Sequence, residues 1–219
     1  MSPLFCLHAV TVEVHISKED VVASAARRSI GPTVGRVKLT LPTPPLVDAA
    51  AGIILRPWRV DDATALAAAW TDPAVARHCE VPPDSDLAAA SRWIAGWTER
   101  LERGLALDLV AADTGSDAVI AEVGLWPFPA PGSGSVLSDV VEVGWWTVAA
   151  RRRQGFATAA VRLVVGWALA SLAPARLVAR IRPGSVGSER VATGAGLTRR
   201  GRLDDHHDLW VCPRAIVHA

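Results

Sequence analysis

The chain has 219 residues, half of them hydrophobic and 21% charged, with 23 basic against 22 acidic residues for a formal net charge of +1. This is the balance of a globular chain with a sizeable core, and it gives no overall pull toward nucleic acid or anionic lipid, so any positive patch must be local. The three cysteines, Cys6, Cys79 and Cys212, are far apart and form no C-x-x-C pair, which excludes a disulfide framework and points to a reduced, cytoplasmic setting.

Residues 1–50 read as an N-terminal extension and linker, disordered or acting as an arm. VTVEVHI (10–16) has the make-up of a short strand, and LTLPTPPLVDAAAG (39–52) places three prolines in a few residues, which interrupts regular structure. The opening MSPLFCLHAV lacks the basic region of a secretory signal. A regular pattern begins near residue 51 and defines a domain over 51–219. IILRPWRV (53–60) reads as a strand, and Asp61 or Asp62 as the cap of a helix reaching Trp70. TDPAVARHC (71–79) reads as a short helix. A longer one is expected over 84–103, with Leu87, Ala90, Ile94, Trp97 and Leu101 on one face.

Three strands follow, LALDLVAAD (105–113), AVIAEVGLW (118–126) and DVVEVGWWTV (139–148), the last two joined by PFPAPGSGS. A helix is expected over 157–172, a strand over 175–181, a short helix over 187–193 and a closing hairpin over 197–213. The order describes a mixed α/β domain with a central sheet flanked by helices. The uncharged run 163–175 falls short of the ~20 residues of a membrane span, so no membrane partner is expected.

RRRQGFAT (151–158) stands at a strand-to-helix junction. The first helical turn leaves amide hydrogens without intrahelical partners, and the helix dipole adds positive potential there. Gly155 allows close approach of a ligand, and Ala157 and Thr158 keep the entrance clear. Together they read as a phosphate site or as an ordinary strand–helix loop with solvated arginines, while the absence of G-x-x-x-x-G-K-[ST] and of G-x-G-x-x-G excludes a Walker loop and a dinucleotide fingerprint.

Arg152-x-x-Gly155-x-Ala157 matches the R/Q-x-x-G-x-G/A acetyl-CoA motif of the GCN5-related N-acetyltransferases, the GNAT family. EVGWWTVAARRRQGFAT (142–158) resembles that family's E-I-G-Y-W-L…G-R-G-Y-A-T block as worded in its ribosomal-protein N-acetyltransferase (RimJ/RimL-like) branch. RPGSVGSERVATGAGL (182–197) and ILRPWRVDDA (54–63) resemble two further blocks of the branch, so the resemblance extends over residues 52–213. It implies a GNAT-like acyl-CoA N-acyltransferase fold with a mixed, mostly antiparallel sheet, and transfer of an acetyl group from acetyl-CoA to a primary amine without a metal. By that resemblance the cofactor-binding residues are Trp146, Thr147, Val148, Arg152, Arg153, Gln154, Gly155, Phe156, Ala157, Thr158 and Ser185. Amides of 153–158 would hold the pyrophosphate, and an amide near Thr147 or Val148 would polarise the thioester carbonyl.

Two departures stand out. Ser185 replaces the expected asparagine, and the chain has no tyrosine to act as general acid. In the branch a serine takes that place, and Ser188 matches it, beside a reading as a helix N-cap or first-turn residue. Glu142 is the candidate general base, against a reading as a satisfied structural carboxylate. The run Asp204-Asp205-His206-His207-Asp208 reads as a polar turn or as residues touching the acceptor; its spacing does not suit a metal site. The expected acceptor is a protein N-terminal amine, with a polyamine or an aminoglycoside as the small-molecule alternative. A rival reading is a non-catalytic acyl-CoA-binding regulatory module. Either is compatible with a monomer or homodimer, and neither with nucleic-acid binding, since the arginines cluster at one site.

Overall fold

The computed structural model describes residues 37–79, 81–129 and 136–213. Apolar and alternating runs in these residues form β1 (Leu46–Asp48), β2 (Ile53–Pro57), β3 (Leu107–Asp113), β4 (Val119–Pro129), β5 (Val136–Thr147), β6 (Arg176–Ile181) and β8 (Asp208–Cys212), while β7 (Thr198–Arg202) is the polar, exposed run TRRGR. One sheet joins them in the order β1-β2-β3-β4-β5-β6-β8-β7. Every neighbouring pair is antiparallel except β5 and β6. That one parallel pair needs a crossover, and α5 (Phe156–Trp167) supplies it. The other helices are α1 (Ala63–Trp70), α2 (Pro73–His78), α3 (Leu87–Ala95), α4 (Trp97–Glu102) and α6 (Val186–Gly194).

The sheet is covered on both faces. On one, α5 and α6 pack over Ala121, Val123, Leu125, Val141 and Val143, with Val161, Val164, Ala168 and Ala192 facing inward. On the other, α1 to α3 bury Leu66, Trp70, Val75 and Ile94 against Trp58, Val110 and Trp146. Both α2 and α3 start on aspartates whose carboxylates accept first-turn amides, Asp72 from Ala74 at 2.8 Å and Asp86 from Ala89 at 2.7 Å. The single charge of α5, Arg162, turns outward and bonds Asp48 of β1 at 2.9 Å.

Three features differ from the sequence expectation. The described part of the expected linker joins the sheet: β1 pairs with β2 and Leu39 is buried in the main core, because the run ends in apolar residues that the sheet edge can cover. The helix expected over 84–103 divides at Gly96, which separates α3 from α4, as the weakest helix former but proline allows. In the helix expected over 157–172, residues Ala168–Leu172 form a wider π turn, with the Ala173 amide bonding the Ala168 carbonyl. The strand expected over 10–16 lies outside the described residues. No helix among the described residues is long and apolar enough to cross a membrane.

Candidate active site

The parallel pair decides where a site can form. β5 and β6 are registered only at Val140–Arg176, Val141–Leu177 and Glu142–Val178. β6 then follows β8 as far as Ile181, opposite Asp208, while β5 follows β4 as far as Thr147, opposite Ala121. Beyond Glu142 the two strands therefore part, and one edge of β5 loses its strand partner. Backbone groups of successive strand residues point to opposite edges. The Asp139 carbonyl accepts from Ala175 on the β6 side, and the Val148 amide donates to the Ile120 carbonyl on the β4 side. By alternation, the amides of Trp145 and Thr147, past the last registered pair, face the opening. Trp146 turns its backbone to β4, and its indole is buried beside Trp58 with Nε1 donating to Glu122. Of Trp146, Thr147 and Val148, Thr147 alone presents an amide to the cleft.

The loop after β5 reaches α5 through two left-handed residues, Arg153 at φ 60° and Gly155 at φ 88°. Gly155 is the residue before the helix, and a side chain there would meet nothing within 4 Å. Its backbone angle, not crowding, calls for glycine. Arg153, Gln154 and Gly155 are exposed, and Phe156, Ala157 and Thr158 half-buried, so the first-turn amides of a twelve-residue helix open onto the cleft side of the sheet. Gln154 donates to the Ala150 carbonyl at 3.0 Å, tightening the loop. Arg152 turns inward: Nε donates to the Thr147 carbonyl at 3.0 Å, and the guanidinium meets Asp72 at 2.6 Å. It fastens the loop to α2 and holds the Thr147 peptide, a role the motif alone does not disclose. The Asp72 carboxyl is held below its usual range by the Ala74 amide, with Arg152 assisting.

At the carboxyl end of β6, Ser185 precedes α6 and its hydroxyl donates to the Ser188 hydroxyl at 3.1 Å. Ser188 thus accepts one bond and keeps its own proton to donate. Gly194 packs on Thr158 of α5, where an added Cβ would come within 2.6 Å of the threonine methyl, so the carboxyl end of α6 rests against the first turn of α5.

The remaining charges lie on the opposite face. Glu142 is buried, one oxygen accepting from Trp126 Nε1 at 2.9 Å and the other from Arg180 Nε at 2.8 Å. Both oxygens are occupied, as in the structural-carboxylate reading. Trp126 lies across Gly144, where any side chain would collide with the indole. Farther along the same face Glu122 stands opposite Trp146, and Asp108 opposite Gly124. Arg100 bonds Asp108 at 3.0 Å and stacks over Trp93 at 3.9 Å. Burial pushes the Glu122 carboxyl up to about 8, with the Asp108 charge adding to it and the Trp146 and Arg100 contacts opposing. Burial likewise raises Asp108 against the pull of Arg100. Glu122 was open to discovery as a lone carboxylate in an apolar strand, but nothing in the run AVIAEVGLW names its partners.

Residues 53–198 match the family description "Acetyltransferase (GNAT) domain". A search of curated proteins returned no match. Among solved structures, the chain is similar to Mycobacterium smegmatis RimJ in complex with CoA-disulfide, at 21% identity and a TM-score of 0.60, covering 78% of this chain and 86% of that one. It is similar to the ribosomal-protein-S5-alanine acetyltransferase from Vibrio fischeri, at 16% identity and a TM-score of 0.59, covering 75% and 94%. The aminoglycoside acetyltransferase AAC(6')-Ib, in complex with coenzyme A and kanamycin, aligns at 14% identity and a TM-score of 0.58, covering 74% and 95%. At these identities the likeness is one of fold. Because the family match runs from the first residue of β2 to the first of β7 and takes in both parted strands, the chain belongs to the GNAT acetyltransferases, which transfer an acetyl group from acetyl-CoA to an amine.

Proposed function

We propose that the protein acetylates the N-terminal amine of a protein by direct attack of that amine on the thioester of acetyl-CoA. The parting of β5 from β6 beside the start of α5 is the observation that carries this reading. In it, the Thr147 amide donates to the thioester oxygen as negative charge builds there, the kind of contact worth about 10²–10³ in rate. The amides of 153–158 take the pyrophosphate, and exposed Arg153 adds charge from the side. Ser188, supported by the Ser185 hydroxyl, gives a proton to the departing thiolate.

The acceptor follows from amine chemistry. An α-amino group, with a pKa of about 7.7–8.0, is partly neutral at physiological pH, whereas lysine at about 10.4 is almost wholly charged. A cleft whose Glu142 is committed to Trp126 and Arg180 suits the weaker base. Fold likeness to the Vibrio fischeri enzyme supports the same acceptor. Likeness to the aminoglycoside enzyme keeps an amino sugar as the second reading.

Calorimetric titration with acetyl-CoA, wild type beside Gly155→Glu, tests the cofactor site. The glutamate has room in the fold, costs about 1–2 kcal/mol for its left-handed angle, and sets a carboxylate where the pyrophosphate belongs. Micromolar binding by the wild type and at least a tenfold loss in the variant are expected. No binding by folded wild type removes the transferase reading. A transfer assay with peptides bearing free N-terminal serine or alanine, beside kanamycin and spermidine, then separates the acceptors.

A further inference from the structure

Resting on the transferase reading above, we propose that His207, held by Asp204, is the group that takes the proton from the acceptor ammonium. The two residues lie in the turn between β7 and β8. Asp204 accepts the backbone amides of His206 and His207, each at 2.8 Å, and its two oxygens stand 3.1 and 3.2 Å from His207 Nδ1. A carboxylate that is already an acceptor requires Nδ1 to be the donor, so the neutral ring keeps its lone pair on Nε2. Nε2 makes no hydrogen bond among the described residues, and the side chain is 26% exposed. This is an imidazole with a fixed tautomer and a free basic nitrogen.

Its place in the sheet puts it at the cleft. β8 is registered on β6 through Ile181–Asp208, so His207 stands one step beyond, at the end of β6 where the strands have parted. Four elements converge there: β6 with Arg180 and, one residue past its end, Arg182; α2 with His78; the β7–β8 turn with Asp204 and His207; and β5 with Glu142. Arg180 joins two of them, bonding Glu142 at 2.8 Å and acting by its charge on His207. Glu142 shares the sheet face of Trp146, opposite α5 and α6. His207 and Ser188 therefore flank the cleft from its two faces, one beside an entering amine and the other beside the leaving sulfur.

The surroundings favour proton transfer at neutral pH. Burial pushes the His207 imidazole below its usual range; Asp204 opposes this, and Arg180 and Arg182 add to it. Burial also lowers His78, with Arg182, Arg77 and His207 contributing. Both rings are thus neutral at pH 7. The same arginines disfavour a bound ammonium, so the amine gives up its proton more readily than in water. In the reaction the ammonium passes one proton to Nε2 of His207. The neutral nitrogen forms the C–N bond, the C–S bond breaks, and the second nitrogen proton ends on the thiolate sulfur, reaching it through Ser188. The imidazolium returns its proton to solvent. Asp204 acts as a positioning residue.

The test is the pH profile of kcat/KM for transfer to a peptide with a free N-terminal serine or alanine, using full-length wild type, His207→Asn and Asp204→Asn. His207→Asn keeps a donor toward Asp204 and removes Nε2; Asp204→Asn keeps an acceptor for the turn amides and reverses the ring tautomer. Each is expected to lower kcat/KM by about 10²-fold at pH 7. The deficit narrows toward pH 9, where the amine is neutral without help, and acetyl-CoA affinity stays unchanged. Nitrogen chemical shifts of His207 should report Nδ1–H in the wild type and Nε2–H in Asp204→Asn. Losses below about twofold, or a deficit equal at pH 7 and pH 9, overturn the proposal alone. Wild-type protein that binds no acetyl-CoA and acetylates none of the amines overturns the transferase reading, and this proposal with it.

Discussion

Glu122 shows how one residue couples stability to pH. Its carboxyl titrates near pH 8 in the fold, raised by burial, by Asp108 and against the Trp146 and Arg100 contacts, and near 4.3 in an unfolded chain. Between those values the unfolded state binds fewer protons than the folded one, so this group makes stability fall as pH rises. Glu122→Gln should therefore raise the melting temperature at pH 9 and change it little at pH 4.5, read by thermal unfolding across that range. A loss at both pH values would mean that the ionised carboxylate is stabilising. At this scale, composition flags the residue and only the contacts assign its behaviour. The same holds for Arg152, whose motif position suggests a ligand contact while its guanidinium is spent on the Thr147 carbonyl and Asp72.

Among elements, β5 does two jobs along opposite edges. Its even-numbered residues near the end bond β4, and its odd-numbered ones face the opening. Thr147→Pro removes a cleft-facing amide and no bond to β4, so the fold should persist while kcat falls by about 10²–10³. Trp146→Pro removes a bond to β4 and an indole packed on Trp58, and should leave little folded protein. Circular dichroism and single-turnover transfer separate the two outcomes. Equal activity of Thr147→Pro and wild type would take the oxyanion role from this amide. The block 142–158 was legible as one unit in the sequence, but its division into sheet-bonding and cleft-facing residues was not, because that depends on a partner strand whose nearest paired residue lies 16 positions away, Trp126 opposite Glu142.

For the whole molecule, one ionic network with a buried centre ties distant segments together. Arg56 of β2 bonds Asp62 at 2.7 Å in the turn leading to α1, and Asp117 at 2.8 Å in the β3–β4 turn, where Arg59 joins as well. Arg56 and Asp62 are almost fully buried. Removing one partner of such a pair strands a buried charge, so Asp62→Ala should cost about 3 kcal/mol, the lower end for buried pairs because Asp117 remains. Urea unfolding would show this as a lower midpoint at unchanged slope.

By itself the sequence determined the alternation of strands and helices, the glycine that stands before α5 and the family to which these belong. Such features depend on neighbours within a few residues: side-chain periodicity, capping and backbone freedom. The tertiary structure alone decided that Thr147 offers the cleft-facing amide, that Glu142 is bound on both oxygens, and that Asp204, His207, His78 and Arg182 meet at the end of β6. Each of these depends on sheet register and on charges brought together from segments far apart in the chain, and local pattern carries no information about which buried polar groups will find each other.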